Sequence, residues 1–94
     1  MNKVKEDLKK NLNRFKELLN HWQEYEIKEK SLLSPEELSA YEKGISCRDN
    51  GWSDKALEAL DNKLYQKARR GWYVRHKQLR YIEYVKLYED MLSV

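Results

Sequence analysis

The chain has 94 residues, 37% of them charged, with a net charge of +3, one proline, three glycines and a single cysteine. That length bounds one domain, 1–94, able to bury around two thirds of its unfolded surface. No uncharged run approaches membrane-spanning length, and the lone Cys47 excludes an internal disulfide. No membrane partner is expected, and a reducing, cytoplasmic setting is.

Helix formers dominate and β-branched residues are scarce, so the composition predicts an all-α fold. The pattern resolves this into a small helical bundle of two long helices and one short one. The first helix is expected over 3–30. Val4, Leu8, Leu12, Phe15, Leu19 and Trp22 recur at three and four residues, and Leu18 and Tyr25 widen the same face. Lys9, Lys10, Lys16, Glu17 and Glu24 make the opposite, solvated face. The break falls at Ser31 to Ser34. There Ser34, Pro35 and Glu37 form a start signal: a serine N-cap, proline at the first helical position, and a glutamate that closes the capping box. The second helix is expected over 35–43, with Gly44 as its stop.

Residues 44–52 then read as the one loop, with Asp49, Asn50 and Gly51 as turn formers. Trp52 is either a hydrophobic staple on the next helix or an exposed binding residue. The third helix is expected over 53–92, with Ser53 as N-cap and Asp54 in the first turn, where negative charge favours the helix dipole. Leu57, Leu64, Gly71, Gln78, Val85 and Leu92 fall in one row, and Leu60, Val74, Tyr81 and Tyr88 in a second. Two such rows are a seam for another helix. Forty residues would make a rod of about 60 Å. Gly71 in its middle marks either a bend or a close backbone approach. With a short second helix, the far end of this rod overhangs. Tyr81, Val85, Tyr88 and Leu92 then form a seam for a second copy or a foreign protein.

Charge is uneven along the chain. Lys63, Lys67, Arg69, Arg70, Arg75, Lys77 and Arg80 lie between Asn62 and Ile82 with no carboxylate among them. Tyr65, Trp72 and Tyr73 are interleaved. A cationic ridge with flat rings suits an acidic protein surface, or it tracks a phosphate backbone and stacks on unpaired bases. Internal neutralisation is the competing reading. Residues 17–42 hold seven glutamates against Lys28 and Lys30, and acidic helices packed on a basic one would consume the ridge.

No catalytic constellation is present: Cys47 has no histidine nearby in sequence, and there is no phosphate-binding glycine loop or nucleophile motif. Glu17, His21 and Glu24 share one turn face, a weak pattern for a metal. The sequence therefore predicts a non-enzymatic helical binding protein without cofactor or metal. Its partner-binding residues are Lys63, Lys67, Arg69, Arg70, Trp72, Tyr73, Lys77 and Arg80. Small, charged, aromatic-rich chains of this kind occur among phage and mobile-element accessory factors, including inhibitors that occupy a host surface. The alternatives are direct DNA or RNA binding through 62–82 and a structural homodimer through the C-terminal helix.

Overall fold

The computed structural model describes residues 3–93. They form helix α1 (Lys3–Ser31), helix α2 (Pro35–Asp49), a 3₁₀ turn (Asp54–Leu57) and helix α3 (Asn62–Leu92). This is the small all-α bundle expected, with one very long helix at its C-terminal end.

The corner between α1 and α2 is built as the sequence implies. Ser34 Oγ accepts from the Glu37 amide at 3.2 Å, and Glu37 Oε1 accepts from the Ser34 amide at 3.1 Å, with Pro35 opening the helix. Two of the amides that a helix start leaves without partners are thereby satisfied.

The second helix does not stop at Gly44, and 44–52 is not a loop: α2 continues to Asp49. Gly44 serves closeness instead of termination. A Cβ built there would lie 1.7 Å from the Ala68 carbonyl oxygen, and one at Gly71 would lie 2.1 Å from the Tyr41 carbonyl oxygen. The two glycines face each other's helix and let α2 and α3 touch backbone to backbone. Gly71 therefore marks the close approach, and α3 is unbroken through it. The true stop is Gly51, at φ 77°. Its amide donates to the Arg48 carbonyl at 2.9 Å and the Trp52 amide to the Cys47 carbonyl at 3.0 Å. That pair of bonds is a Schellman motif, which requires a left-handed residue and so favours glycine.

The long helix begins at Asn62, nine residues later than 53–92 implied. Ser53 opens only the 3₁₀ turn, and its side chain makes no capping bond. Asp61 is the cap, its Oδ1 accepting from the Leu64 amide at 3.1 Å. Leu57 and Leu60 fit the heptad rows yet pack from outside the helix. Leu57 is buried against Ala40, Cys47 and Ala68, with Leu60 beside it.

Cross-chain pairs give the topology. Glu29 meets Arg70, Trp22 meets Gln78 and Phe15 meets Tyr84, so α1 runs antiparallel to α3. Glu37 meets Lys67 and Arg48 meets His76, so α2 runs in the same direction as α3. The 12 residues from 50 to 61 carry the chain back for this parallel pass. Two clusters form the core where α2 crosses: Ala40, Cys47, Leu57 and Ala68, then Tyr41, Ile45 and Val74 with Trp22 and Leu33 packed on them.

The overhang is corrected as well. α1 lies along the far part of α3, and Phe15 packs on Tyr81, Tyr84 and Tyr88 with ring centroids 6.0, 5.1 and 5.3 Å away. Val85 and Leu92 are half-buried. The molecule measures 57 × 25 × 15 Å. Its radius of gyration is 16.5 Å, against about 12 Å for a compact chain of this length. Among the described residues no helix is long and apolar enough to cross a membrane.

Candidate binding surface

A helix turns by about 100° per residue, so α3 sends its basic and aromatic side chains to different neighbours. Four of the seven cations between Asn62 and Ile82 are matched by carboxylates of the same chain. Arg70 grips Glu29 with two bonds of 2.7 and 2.9 Å. Lys67 lies 3.8 Å from Glu37 and Arg69 3.2 Å from Asp54. Arg75 lies 3.6 Å from Glu26 and 3.4 Å from Asp49. Three of these acids, Glu26, Glu29 and Glu37, belong to the acidic stretch 17–42.

The acids respond accordingly. Burial alone would raise the pKa of Glu26. Hydrogen bonds from Lys30 and Gln78, with the charges of Lys30 and Arg75, outweigh that and hold it below the ordinary carboxylate value. Glu37 is held low first by its bonds with Ser34 and then by Lys67 and Lys63.

Among the described residues, Lys63, Lys77 and Arg80 make no ion pair. Lys77 Nζ instead sits 5.4 Å from the centroid of Tyr73. Arg80 donates to the Tyr84 hydroxyl at 2.9 Å while lying over that ring. Tyr73 in turn meets Trp22 of α1 edge to face at 5.7 Å, and Trp22 meets Tyr25 at 5.3 Å. Arg70 covers both Trp22 and Tyr73. The result is a strip of interlocked rings along one side of the α1–α3 groove. Its two outermost members remain open, Tyr25 at 43% and Tyr73 at 41% exposure.

Trp72 does not belong to this strip, although the sequence grouped it with Tyr73. Its indole N–H donates to the Trp52 carbonyl at 2.8 Å and its ring stacks on His76 at 4.9 Å. Arg48 Nε donates to His76 Nδ1 at 3.0 Å and lies over the Trp72 ring. Trp72 thus braces the end of α2 on the far side of α3. Burial first, and then Arg48, Arg80 and Lys77, depress the His76 pKa and favour the neutral ring that can accept this bond. The Trp52 ring is 60% exposed beside the turn.

Two features could hold something small. An open cleft of about 330 Å³ lies where α1 ends and α2 begins, lined by Glu29, Leu33, Glu37, Tyr41, Lys67 and Arg70. The Tyr41 hydroxyl is buried without a hydrogen-bond partner, and burial, with Glu29 and Glu26, raises its pKa. The facing acids and cations are already paired with each other. The thiol of Cys47 is buried and donates to the Ser53 carbonyl at 3.4 Å. Burial pushes its pKa up, which suppresses the reactive thiolate. Among the described residues no three metal-ligating side chains converge, the Glu17, His21 and Glu24 face included.

The residues that sequence reasoning missed are Trp22, Tyr25 and Tyr84. Trp22 and Tyr25 sit in the apolar face of α1, where they read as core, and Tyr84 falls outside both apolar rows of α3. The available signal was the three- and four-residue recurrence of tyrosine, which marks a face wider than a two-helix seam can cover. No protein-family model matches the chain, and comparison with curated proteins and with solved structures gave no match.

Proposed function

We propose that this chain is a non-enzymatic helical binding module that works by occupying an acidic surface on a protein partner. The contact residues in this reading are Trp22, Tyr25, Tyr73, Lys77, Arg80 and Tyr84. One observation carries it: exposed Tyr25 and Tyr73 flank Trp22 in edge-to-face contact, with Lys77 and Arg80 held over neighbouring rings and matched to no carboxylate. Tyrosine, tryptophan and arginine dominate interface energetics because they bring area and a polar handle together. Rings locked against each other also lose little freedom on binding. A blocking role of the kind seen in accessory inhibitors, in a cytoplasmic setting that keeps Cys47 reduced, follows from the same reading.

The internal pairing weighs against nucleic acid as the target. Lys67, Arg69, Arg70 and Arg75 are engaged with carboxylates. A phosphate backbone would have to displace those pairs, and Lys63, Lys77 and Arg80 are the ridge cations that make no ion pair among the described residues. The homodimer reading loses its premise, since α1 already lies along Tyr81 and Tyr88.

The test compares pull-downs by the wild type and by a Tyr73→Ala, Arg80→Glu double variant, with helix content checked by circular dichroism. A specific bound protein lost by the double variant and kept by Lys5→Glu is the expected result. Labelled single-stranded DNA, duplex DNA and RNA at about 50 and 200 mM salt supply the other arm. Micromolar, salt-sensitive binding that disappears in Lys77→Glu would replace the protein reading with a nucleic-acid one.

A further inference from the structure

The strip lies in a groove between two antiparallel helices, and the rims of that groove are ordered. On α1, Arg14, His21 and Lys28 follow one another at seven-residue spacing and so form one line. All three are exposed, and among the described residues neither Arg14 nor Lys28 makes an ion pair. The line begins with Asp7, its one acid. Inside it run Leu18 and Tyr25, again seven apart, with Trp22 between them. On α3 the inner row is Tyr73, Lys77 and Tyr84, and Arg80 forms the outer rim. The floor is aromatic and aliphatic; the α3 side is cationic through Lys77 and Arg80, and the α1 rim carries Arg14 and Lys28 at its two ends, with Glu17 and Glu24 on its outer side beside His21.

Away from this strip, α3 carries a helix on another side. There α2 packs on α3 through Gly44 and Gly71, with Tyr41 and Ile45 of α2 meeting Val74 and Trp22. α2 lies against α3 and scarcely touches α1, so among the described residues no helix lies in the groove between α1 and α3.

We infer that the α1–α3 groove seats an acidic amphipathic helix of the partner protein, its apolar seam on Leu18, Tyr25, Tyr73 and Tyr84 and its carboxylates against Arg14, Lys28, Lys77 and Arg80. The inference rests on the proposed acidic protein partner and specifies the form it takes. Residues 14 to 28 span about 21 Å, which sets the occupant at about four helical turns. Helix-in-groove recognition of this kind reads apolar anchors at three- and four-residue spacing, with the flanking charges choosing the partner. A second copy of this chain packed two-fold on the same groove is a poor occupant, because it would bring the unpaired Lys77 and Arg80 against themselves.

The test uses three fluorescein-labelled probes in anisotropy titrations. One is a two-heptad peptide, about four helical turns long, with leucine at the a and d positions and glutamate at e and g. The second carries lysine at e and g, and the third is poly-glutamate of equal length. The acidic amphipathic peptide binds and gains helicity, while the other two do not. Tyr25→Asp and Tyr73→Asp each weaken that binding by about tenfold or more. Ile82→Asp, at an exposed position off the groove, leaves it unchanged and controls for folding. No binding of the acidic amphipathic peptide overturns the inference, and so does binding that survives both tyrosine variants. Equal binding of poly-glutamate removes the helix and leaves the acidic surface. Loss of the pull-down partner's dependence on Tyr73 and Arg80 removes the acidic surface itself.

Discussion

Replacing Gly44 by alanine sets two known effects against each other. Alanine is the better helix former by about 1 kcal/mol, so helix propensity alone favours the change. The added Cβ would sit 1.7 Å from the Ala68 carbonyl oxygen, 2.7 Å from its carbonyl carbon and 2.8 Å from the Trp72 amide nitrogen. All three are backbone atoms, so no side chain can rotate away, and shortening Ala68 relieves nothing. The helices must part by more than 1 Å, which also loosens Ala40 and Ala68 in the core. Overpacking costs about 1–3 kcal/mol where side chains can yield, and a backbone obstacle belongs at or above the top of that range. The expected net loss is about 2 kcal/mol, a fall in Tm of about 8–16 °C for a chain of this size. Thermal and urea unfolding followed by circular dichroism at 222 nm measure it. A variant as stable as the wild type, or more so, would refute the close crossing and return Gly44 to the surface.

Three further changes test the rest of the framework. Asp61→Ala removes the cap of α3 and lowers stability by about 1 kcal/mol, whereas Ser53→Ala, which breaks no capping bond, stays within experimental error in the same melts. Gly51→Ala meets no neighbouring atom yet loses about 1 kcal/mol, because its φ of 77° strains any residue with a Cβ; Gly51→Asn loses less. The depressed pKa of His76 means that the unfolded chain binds more protons there, so stability is full above the ordinary histidine value and falls as pH drops through it. Urea midpoints at about pH 7.5 and 5.5 should differ in that direction, and His76→Gln should flatten the difference; an unchanged slope in the variant would assign the effect elsewhere.

The fold class, the first helix and the start of the second were legible because their signals are local. Ser34, Pro35 and Glu37 act on one another within a single turn, and the apolar spacing of α1 needs no partner to be read. Gly44 and Ser53 misled for the opposite reason. A glycine after an amphipathic run has the same appearance whether it ends a helix or admits another helix, and only the presence of Ala68 across the gap decides. Leu57 and Leu60 continue the heptad rows of α3 in register, so periodicity alone extends that helix backwards. The Asp61–Asn62 pair was the local sign of the later start, and the rows outweighed it. Within the ridge, sequence placed seven cations correctly on one helix but could not assign them partners. Glu26, Glu29 and Glu37 lie 30 residues or more away along the chain from the ridge cations they meet, and their pairing depends on how α1 and α2 turn back. Trp72 and Tyr73 are adjacent in sequence and diverge in space, which the helical turn alone was enough to predict.

The same geometry explains where the chain has stability to spare and where it does not. Burial concentrates at the α2 crossing, where Tyr41 and Val74 are almost wholly enclosed. Toward the other end, α1 and α3 form a bare pair whose only buried hydrophobic residue, among those described, is Leu12 at 9% exposure, while Ile82, Leu87 and Met91 stand open. A bare helix pair gains less from packing than it would inside a three-helix layer, so its local opening costs less than global unfolding. A helix seated on the aromatic side would supply the missing layer over the middle of that pair and stabilise the whole chain by mass action. In the proposed reading, the weakly buried half of the molecule is thus the half that a bound helix would have most to order.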